Sequence, residues 1–285
     1  MDRRSFLPTL AFASGYLLIA SHLKIQAGMK PMNHPMRIRM IYNNTGECPG
    51  MENGWGLAAW IETGTESILF DTGGDAGILM KNIRTANLDP KTLSGVIISH
   101  DHWDHKNGLA SILDSAQNKP RTYVVSDVAD SYREDYPEAT ITGVDEAVEI
   151  TGNLWSTGQI EGSYRLGSLW EQSLFLLQDN GMVILTGCSH PGITTIAEKA
   201  KNLFPSHPIR LVAGGFHLKS TREKEVLRIS GHLKELGVEK VAPSHCTGKR
   251  AIELFRSEWT DRFVAFDLGD TLEIHNERIM RVADQ

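Results

Sequence analysis

An α/β fold is predicted for this 285-residue chain, and three observations predict it. Short apolar runs of strand length alternate with amphipathic stretches of helix length, as over residues 95–98, 107–115 and 122–125. Four of the apolar runs end in histidine where the chain turns into helix, the edge at which α/β folds gather their sites. Apolar residues make up 41% of the chain, enough for a substantial core in one domain over residues 36–285.

Residues 1–35 read as a separate extension. Arg3-Arg4 followed by Ser5-Phe6-Leu7 and a mostly apolar stretch to Ala20 resembles a twin-arginine export signal, which predicts a periplasmic or otherwise exported protein. A true start at Met29 or Met36 would leave it cytoplasmic instead. The apolar stretch is about 14 residues, short of the roughly 20 of a spanning helix, so membrane contact is expected only through this segment if it stays uncleaved. A net charge of −6 without a basic block argues against nucleic acid as a partner, and against ribonuclease action. The three cysteines, Cys48, Cys188 and Cys246, lie far apart and imply no disulfide framework.

In chain order, residues 36–42 alternate apolar and basic side chains, a strand with one buried face. Two apolar runs, 57–61 and 67–71, flank Thr63-Gly64-Thr65 and form a hairpin that ends in Asp71 beside Gly73-Gly74. Asp71 is suited to cap that turn or to hold the metal-site loop from behind. A short helix is expected over 77–87, a strand over 95–98, a helix over 107–115 and a strand over 122–125. Short strands are expected around 139–142 and 147–150, with a glycine-spaced loop over 158–162. Residues 173–178 and 182–185 flank Asn180-Gly181, a favoured hairpin turn. Strands over 209–213 and 238–242 follow, with helices over 193–204, 222–236 and 249–257.

The densest chemistry is Ser99-His100-Asp101-His102-Trp103-Asp104-His105, at a strand end turning into helix. Side chains two apart in extended chain point the same way, so His100 and His102 can grip one ion, while Asp104 and His105 can aim at a second beside it. Imidazole and carboxylate suit zinc, manganese or iron, and open positions for water would make the ions catalytic. Later strand ends add Cys188 and His190, then His217, then His245; six of the eleven histidines lie at these ends. Lys219, Thr221, Thr247 and Lys249 stand at two helix starts that could bind phosphate, or could simply be capped and solvated.

The His-x-His-x-Asp-His motif with its strand-end partners resembles the metallo-β-lactamase superfamily over about residues 36–275. The resemblance implies an αββα sandwich of two mixed sheets flanked by helices, with two metals at one edge and a bridging hydroxide as nucleophile. Thr-Gly-Cys-Ser-His-Pro-Gly, Gly-Gly-Phe-His-Leu and Pro-Ser-His-Cys-Thr-Gly look like the branch named for 7,8-dihydropterin-6-methyl-4-(β-D-ribofuranosyl)-aminobenzene 5′-phosphate synthase. Carried over by position, His100 and His102 hold the first metal, and Asp104, His105 and His245 the second. Cys188 stands where the superfamily usually has a bridging aspartate, as a bridging thiolate or near neighbour, and favours zinc or iron. His190, or alternatively Glu171, completes the first site; His217 meets the substrate's leaving side. The expected activity is hydrolysis of a phosphoester or other ester of a small anionic molecule. The alternatives are the transferase reaction of the branch name, joining a dihydropterin to an aminobenzene ribofuranosyl phosphate, and a non-catalytic metal-containing ligand-binding module.

Overall fold

Met36, Ile38 and Met40 alternate with Arg37 and Arg39, and this period of two decides the first strand and its buried face. In the computed structural model, which describes residues 36–64, 66–116 and 119–283, that strand is β1 (Met36–Tyr42). The export-type segment over 1–35 lies outside the described residues. β2 (Ala58–Glu62) and β3 (Ser67–Phe70) complete an antiparallel meander. There follow α1 (Ala76–Thr85), β4 (Leu93–Ile97), α2 (Trp103–Lys106), α3 (Leu109–Ser115), β5 (Arg121–Val125), α4 (Ala129–Asp135) and β6 (Ile141–Val144), the strands adding in parallel.

The second sheet begins with β7 (Val148–Thr151) and β8 (Leu154–Ser156), then an outlying two-stranded ribbon of β9 (Ile160–Tyr164) and β10 (Gly167–Glu171). β11 (Leu174–Gln178), β12 (Gly181–Thr186), α5 (Ile193–Leu203), β13 (Ile209–Gly215), α6 (Glu223–Glu235), β14 (Lys240–Ser244) and α7 (Lys249–Trp259) continue it. β15 (Asp270–Ile274) and β16 (Ile279–Ala283) return to the first sheet. The sheet orders are β16-β15-β1-β2-β3-β4-β5-β6 and β14-β13-β12-β11-β8-β7, both mixed.

The expected αββα sandwich is therefore the observed architecture. Met36, Ile38, Met40 and Phe70 of one sheet share a core with Leu174, Leu176, Val183 and Leu185 of the other. On the outer face of the first sheet, Trp60, Leu69 and Val96 pack with Leu79 and Ile83 of α1 and Leu109 and Ile112 of α3. α5, α6 and α7 cover the second sheet, as the Phe216–Phe255 ring contact at 5.4 Å illustrates. Among the described residues, no helix is long and apolar enough to cross a membrane.

Three local expectations need correction. The helix expected over 107–115 starts only at Leu109, as α3, because a separate short helix, α2, forms directly after His102 and ends where the Asn107 amide bonds back to Trp103 O and Gly73 O. The strand expected around 139–142 runs over Ile141–Val144. Of residues 158–162 only Gly158 and Gln159 are loop: Ile160 onward is β9, paired along its length with β10. That ribbon is exposed or half-buried at all but one position, so no apolar alternation marked it.

The parallel strands β3, β4, β12, β13 and β14 all open their C-terminal ends onto one edge, where the sheets meet. Gln172 stitches that edge, its N–H donating to Ser99 O at 2.8 Å and its Nε2 to Ile98 O at 2.9 Å. Gly187 permits the approach, since a Cβ there would collide with Ser99 Oγ.

Candidate metal centre

Asp71, at the end of β3, organises the centre from behind. Its Oδ1 accepts the Ser99 N–H at 2.6 Å, and its Oδ2 accepts the Ser99 hydroxyl at 2.8 Å and lies 2.7 Å from His105 Nδ1. Ser99 Oγ also lies 2.8 Å from His100 Nδ1, and Asn44 Oδ1 lies 2.7 Å from His245 Nδ1. In each of His100, His105 and His245, an outer contact at Nδ1 thus leaves Nε2 facing inward, the arrangement by which proteins orient metal-binding imidazoles. The backbone is held under strain to achieve this: Asp71, Ser189, His217 and His245 have φ of 59°, 65°, 52° and 49°. Such left-handed non-glycine residues cost on the order of 1 kcal/mol each and cluster where function requires them.

The inward atoms fall into overlapping sets. Donor atoms of His100, His102 and His190 lie within 4.8 Å of one another, as do those of Asp104, His105 and His245. His100 Nε2 and His102 Nδ1 are 3.1 Å apart, close to the about 3.3 Å between two nitrogens on one tetrahedral zinc at about 2.0–2.1 Å each. Cys188 stands between the sets, grouped with His100 and His105, with His190 and His217, and with His245 and Cys246; its Sγ is 3.3 Å from His105 Nε2. Both ring nitrogens of His190 and Nε2 of His245 are buried without a hydrogen bond. Orphaned buried polar atoms of this kind are costly, and metal ligation resolves them. The donor chemistry, imidazole with thiol and carboxylate, fits divalent metal ions.

Electrostatics divide the centre in the same way. Burial, with neighbouring imidazoles, drives His100 well below the ordinary histidine range, and burial with His217 and His102 brings His190 down to about 3. These rings are neutral, with lone pairs available. Burial would depress His105 as well, but the Asp71 carboxylate beside it raises it to about 9. Burial would raise Asp104, yet His245 and His105 hold it down to about 2, so it remains a carboxylate. Of the two thiols, Cys246 is drawn toward thiolate: burial opposes this, and the Cys188 thiol with the imidazoles of His245 and His217 offsets it.

Other residues singled out in the sequence are placed as follows. Glu171 is not within ligand reach of the sets; its carboxylate accepts the backbone N–H groups of Cys188 and Ser189, both at 2.8 Å, and of His190 at 2.7 Å. It shapes the turn that carries Cys188 and His190, and burial raises it to about 7 against those three donors. His217 lies at the exposed rim. Lys219 and Lys249 line a cleft of about 600 Å³ that opens beside His245. Thr247 does not join them, being buried with its hydroxyl accepting the Phe216 N–H at 2.9 Å, and Thr221 lies outside that lining.

Residues the sequence did not single out complete the surroundings. Trp55 sits with its ring centroid 5.3 Å from that of His245, and Lys219 Nζ lies 4.2 Å over the Trp55 ring. Tyr164, near the tip of the ribbon, places its ring 4.4 Å from His102. The sequence signal for both is modest, an aromatic in a glycine-rich or polar stretch. Cys246 was visible only as the neighbour of His245.

A family model described as the metallo-beta-lactamase superfamily matches residues 56–197. The chain is 25% identical over 262 residues to the 7,8-dihydropterin-6-methyl-4-(beta-D-ribofuranosyl)-aminobenzene-5'-phosphate synthase of Methanocaldococcus jannaschii, across 76% of this chain and 89% of that one. Among solved structures it is similar to Tm1679, described as a metal-dependent hydrolase of the beta-lactamase superfamily. The TM-score is 0.70 at 28% identity, across 84% of this chain and 99% of that one. Its fold is also that of the metallo-beta-lactamase fold protein YhfI from Bacillus subtilis, with TM-score 0.58 and 16% identity over 82% and 95% of the two chains.

Proposed function

Because the chain belongs to the metallo-β-lactamase superfamily, we propose that it is a two-metal hydrolase acting on a phosphoester or related ester of a small anionic molecule. The observation that carries this reading is the pair of donor sets, His100/His102/His190 and Asp104/His105/His245, with Cys188 between them. Two divalent ions, zinc above all, supply Lewis acidity and an activated water when bound there. The chain's own residues do the rest. Asp104, kept ionised by His245 and His105, faces His105 Nε2 at 3.7 Å and His245 Nε2 at 3.5 Å. His217, its pKa raised chiefly by its hydrogen bond with Cys246, stands at the rim as the group that would pass a proton to the leaving-group oxygen. Tyr164 covers His102 and narrows water access.

The cleft beside His245 supports an anionic substrate. Lys219, Lys249 and Arg256 offset Glu253 and Asp267 along it, and Trp55 and Phe263 give flat apolar walls. A transferase reading is favoured by one observation, the relative from Methanocaldococcus jannaschii that is named as a synthase. Export through the segment over 1–35 and the absence of a nucleic-acid partner are part of this proposal and rest on the sequence alone.

The test is metal content together with turnover of bis-p-nitrophenyl phosphate and a panel of small esters. About two ions per chain with turnover lost on chelation and restored by zinc is the expected result. Two ions bound with no ester hydrolysed would overturn the hydrolase reading in favour of the transferase or a binding role.

A further inference from the structure

Cys246 stands inside the centre, where its thiol also meets the His217 imidazole. Its Sγ, the Sγ of Cys188 and a ring nitrogen of His245 lie within 4.8 Å of one another, the spread of donors around a single ion. It is 5% exposed, and its thiol donates a long bond of 3.6 Å to Cys188 O, the main chain of the other buried thiol. A buried cysteine ordinarily packs as a small hydrophobe among hydrocarbon. Here the neighbours are His245, His217 and Cys188, all of them donors. Space for the sulfur is built by Gly215, the register partner of Ser244 at the end of β14; a Cβ at Gly215 would come 2.7 Å from Cys246 Sγ. The chain thus keeps a sulfur-sized slot next to a histidine whose inward nitrogen is buried without a hydrogen bond, Asp104 Oδ2 facing it at 3.5 Å.

We propose that Cys246 is a second sulfur ligand of the ion on the His245 side, making this half of the centre a two-thiolate site that selects thiophilic divalent ions over hard ones. Thiolates favour zinc, cadmium, cobalt(II) and iron, and disfavour magnesium and manganese, which prefer oxygen donors. The proposal rests on the metal-dependent reading above and adds to it both a ligand and a selectivity.

Cobalt(II) is the probe, loaded onto the chelator-stripped full-length chain, because thiolate-to-cobalt charge transfer absorbs in the near ultraviolet in proportion to the sulfur ligands. Cys188→Ser and Cys246→Ser should each bind cobalt and lose about half of the band, and the double variant should lose it entirely. A Cys246→Ser protein that binds cobalt with the full band overturns the proposal and leaves the metal centre intact. A wild-type chain that binds no cobalt overturns the metal-dependent reading and this proposal together. Should Cys246→Ser fail to fold by circular dichroism, the cadmium-113 spectrum of the wild-type chain decides. A resonance in the downfield range of two thiolates supports Cys246 as a ligand; resonances of one thiolate or none exclude it.

Discussion

Asp71 shows how much one carboxylate can settle at the scale of a residue. It fixes the Ser99 turn through two hydrogen bonds and the orientation of His105 through a third contact. Asp71→Asn, which tolerates the left-handed backbone, should weaken metal binding about 10–100-fold in competition with a chromophoric chelator. The metal-free protein adds a pH signature. His105 lies at about 9, above its unfolded value near 6.5, so the stability it gains from Asp71 is complete below about pH 6.5 and is lost as pH rises through 9. The melting-temperature gap between chelated wild type and Asp71→Asn should therefore be widest in mild acid and close toward pH 9. A gap independent of pH would mean that Asp71 acts only through Ser99. Glu171→Ala removes the acceptor of three buried N–H groups, each about 1–3 kcal/mol to leave unmade, so urea unfolding should show a loss of about 3 kcal/mol or more. Elemental analysis of the same variant should show less than the full metal complement, because the turn carrying Cys188 and His190 loses its support.

At the scale of elements, what the sequence revealed followed hydrophobicity. Strands β4, β12, β13 and β14 are buried apolar runs that lead into a histidine or cysteine of the candidate site, so both their existence and their service to the site were legible. The ribbon of β9 and β10 was not, since strands exposed or half-buried at nearly every position carry little periodic signal, and neither was its contribution of Tyr164. Glu171 illustrates a different gap: its place near the centre could be read from the sequence, but whether its oxygens meet an ion or three amides depends on a contact between β10 and the loop after β12. Tyr164→Ala should lower the unfolding free energy of the chelated protein by about 1 kcal/mol, for the aromatic contact with His102, and leave metal content unchanged. Leu166, fully exposed at the ribbon's tip, provides the control: Leu166→Asp should leave the melting temperature where it was.

For the whole molecule, the sandwich was legible through family resemblance more than through pattern, because no periodicity says which strands share a sheet. The pairing of β15 with β1 joins the two ends of the domain over a long sequence separation, and β16 pairs with β15 to extend that sheet. Removing the metals should lower the stability of the entire domain by about 4 kcal/mol where free ion had stood a thousandfold above its dissociation constant, visible as a single lowered unfolding transition. The stitching of the two sheets by Gln172 has a further consequence. His105 and Cys188 are 83 residues apart and come from opposite sheets, so an ion held between them is a reversible cross-link. For a loop on the order of 100 residues, chain entropy makes such a closure worth about 4–5 kcal/mol in the unfolded ensemble. Amides at the ends of β4 and β12 should then exchange with deuterium as one opening unit, slowing together when metal is added while the distant β16 edge keeps its rate.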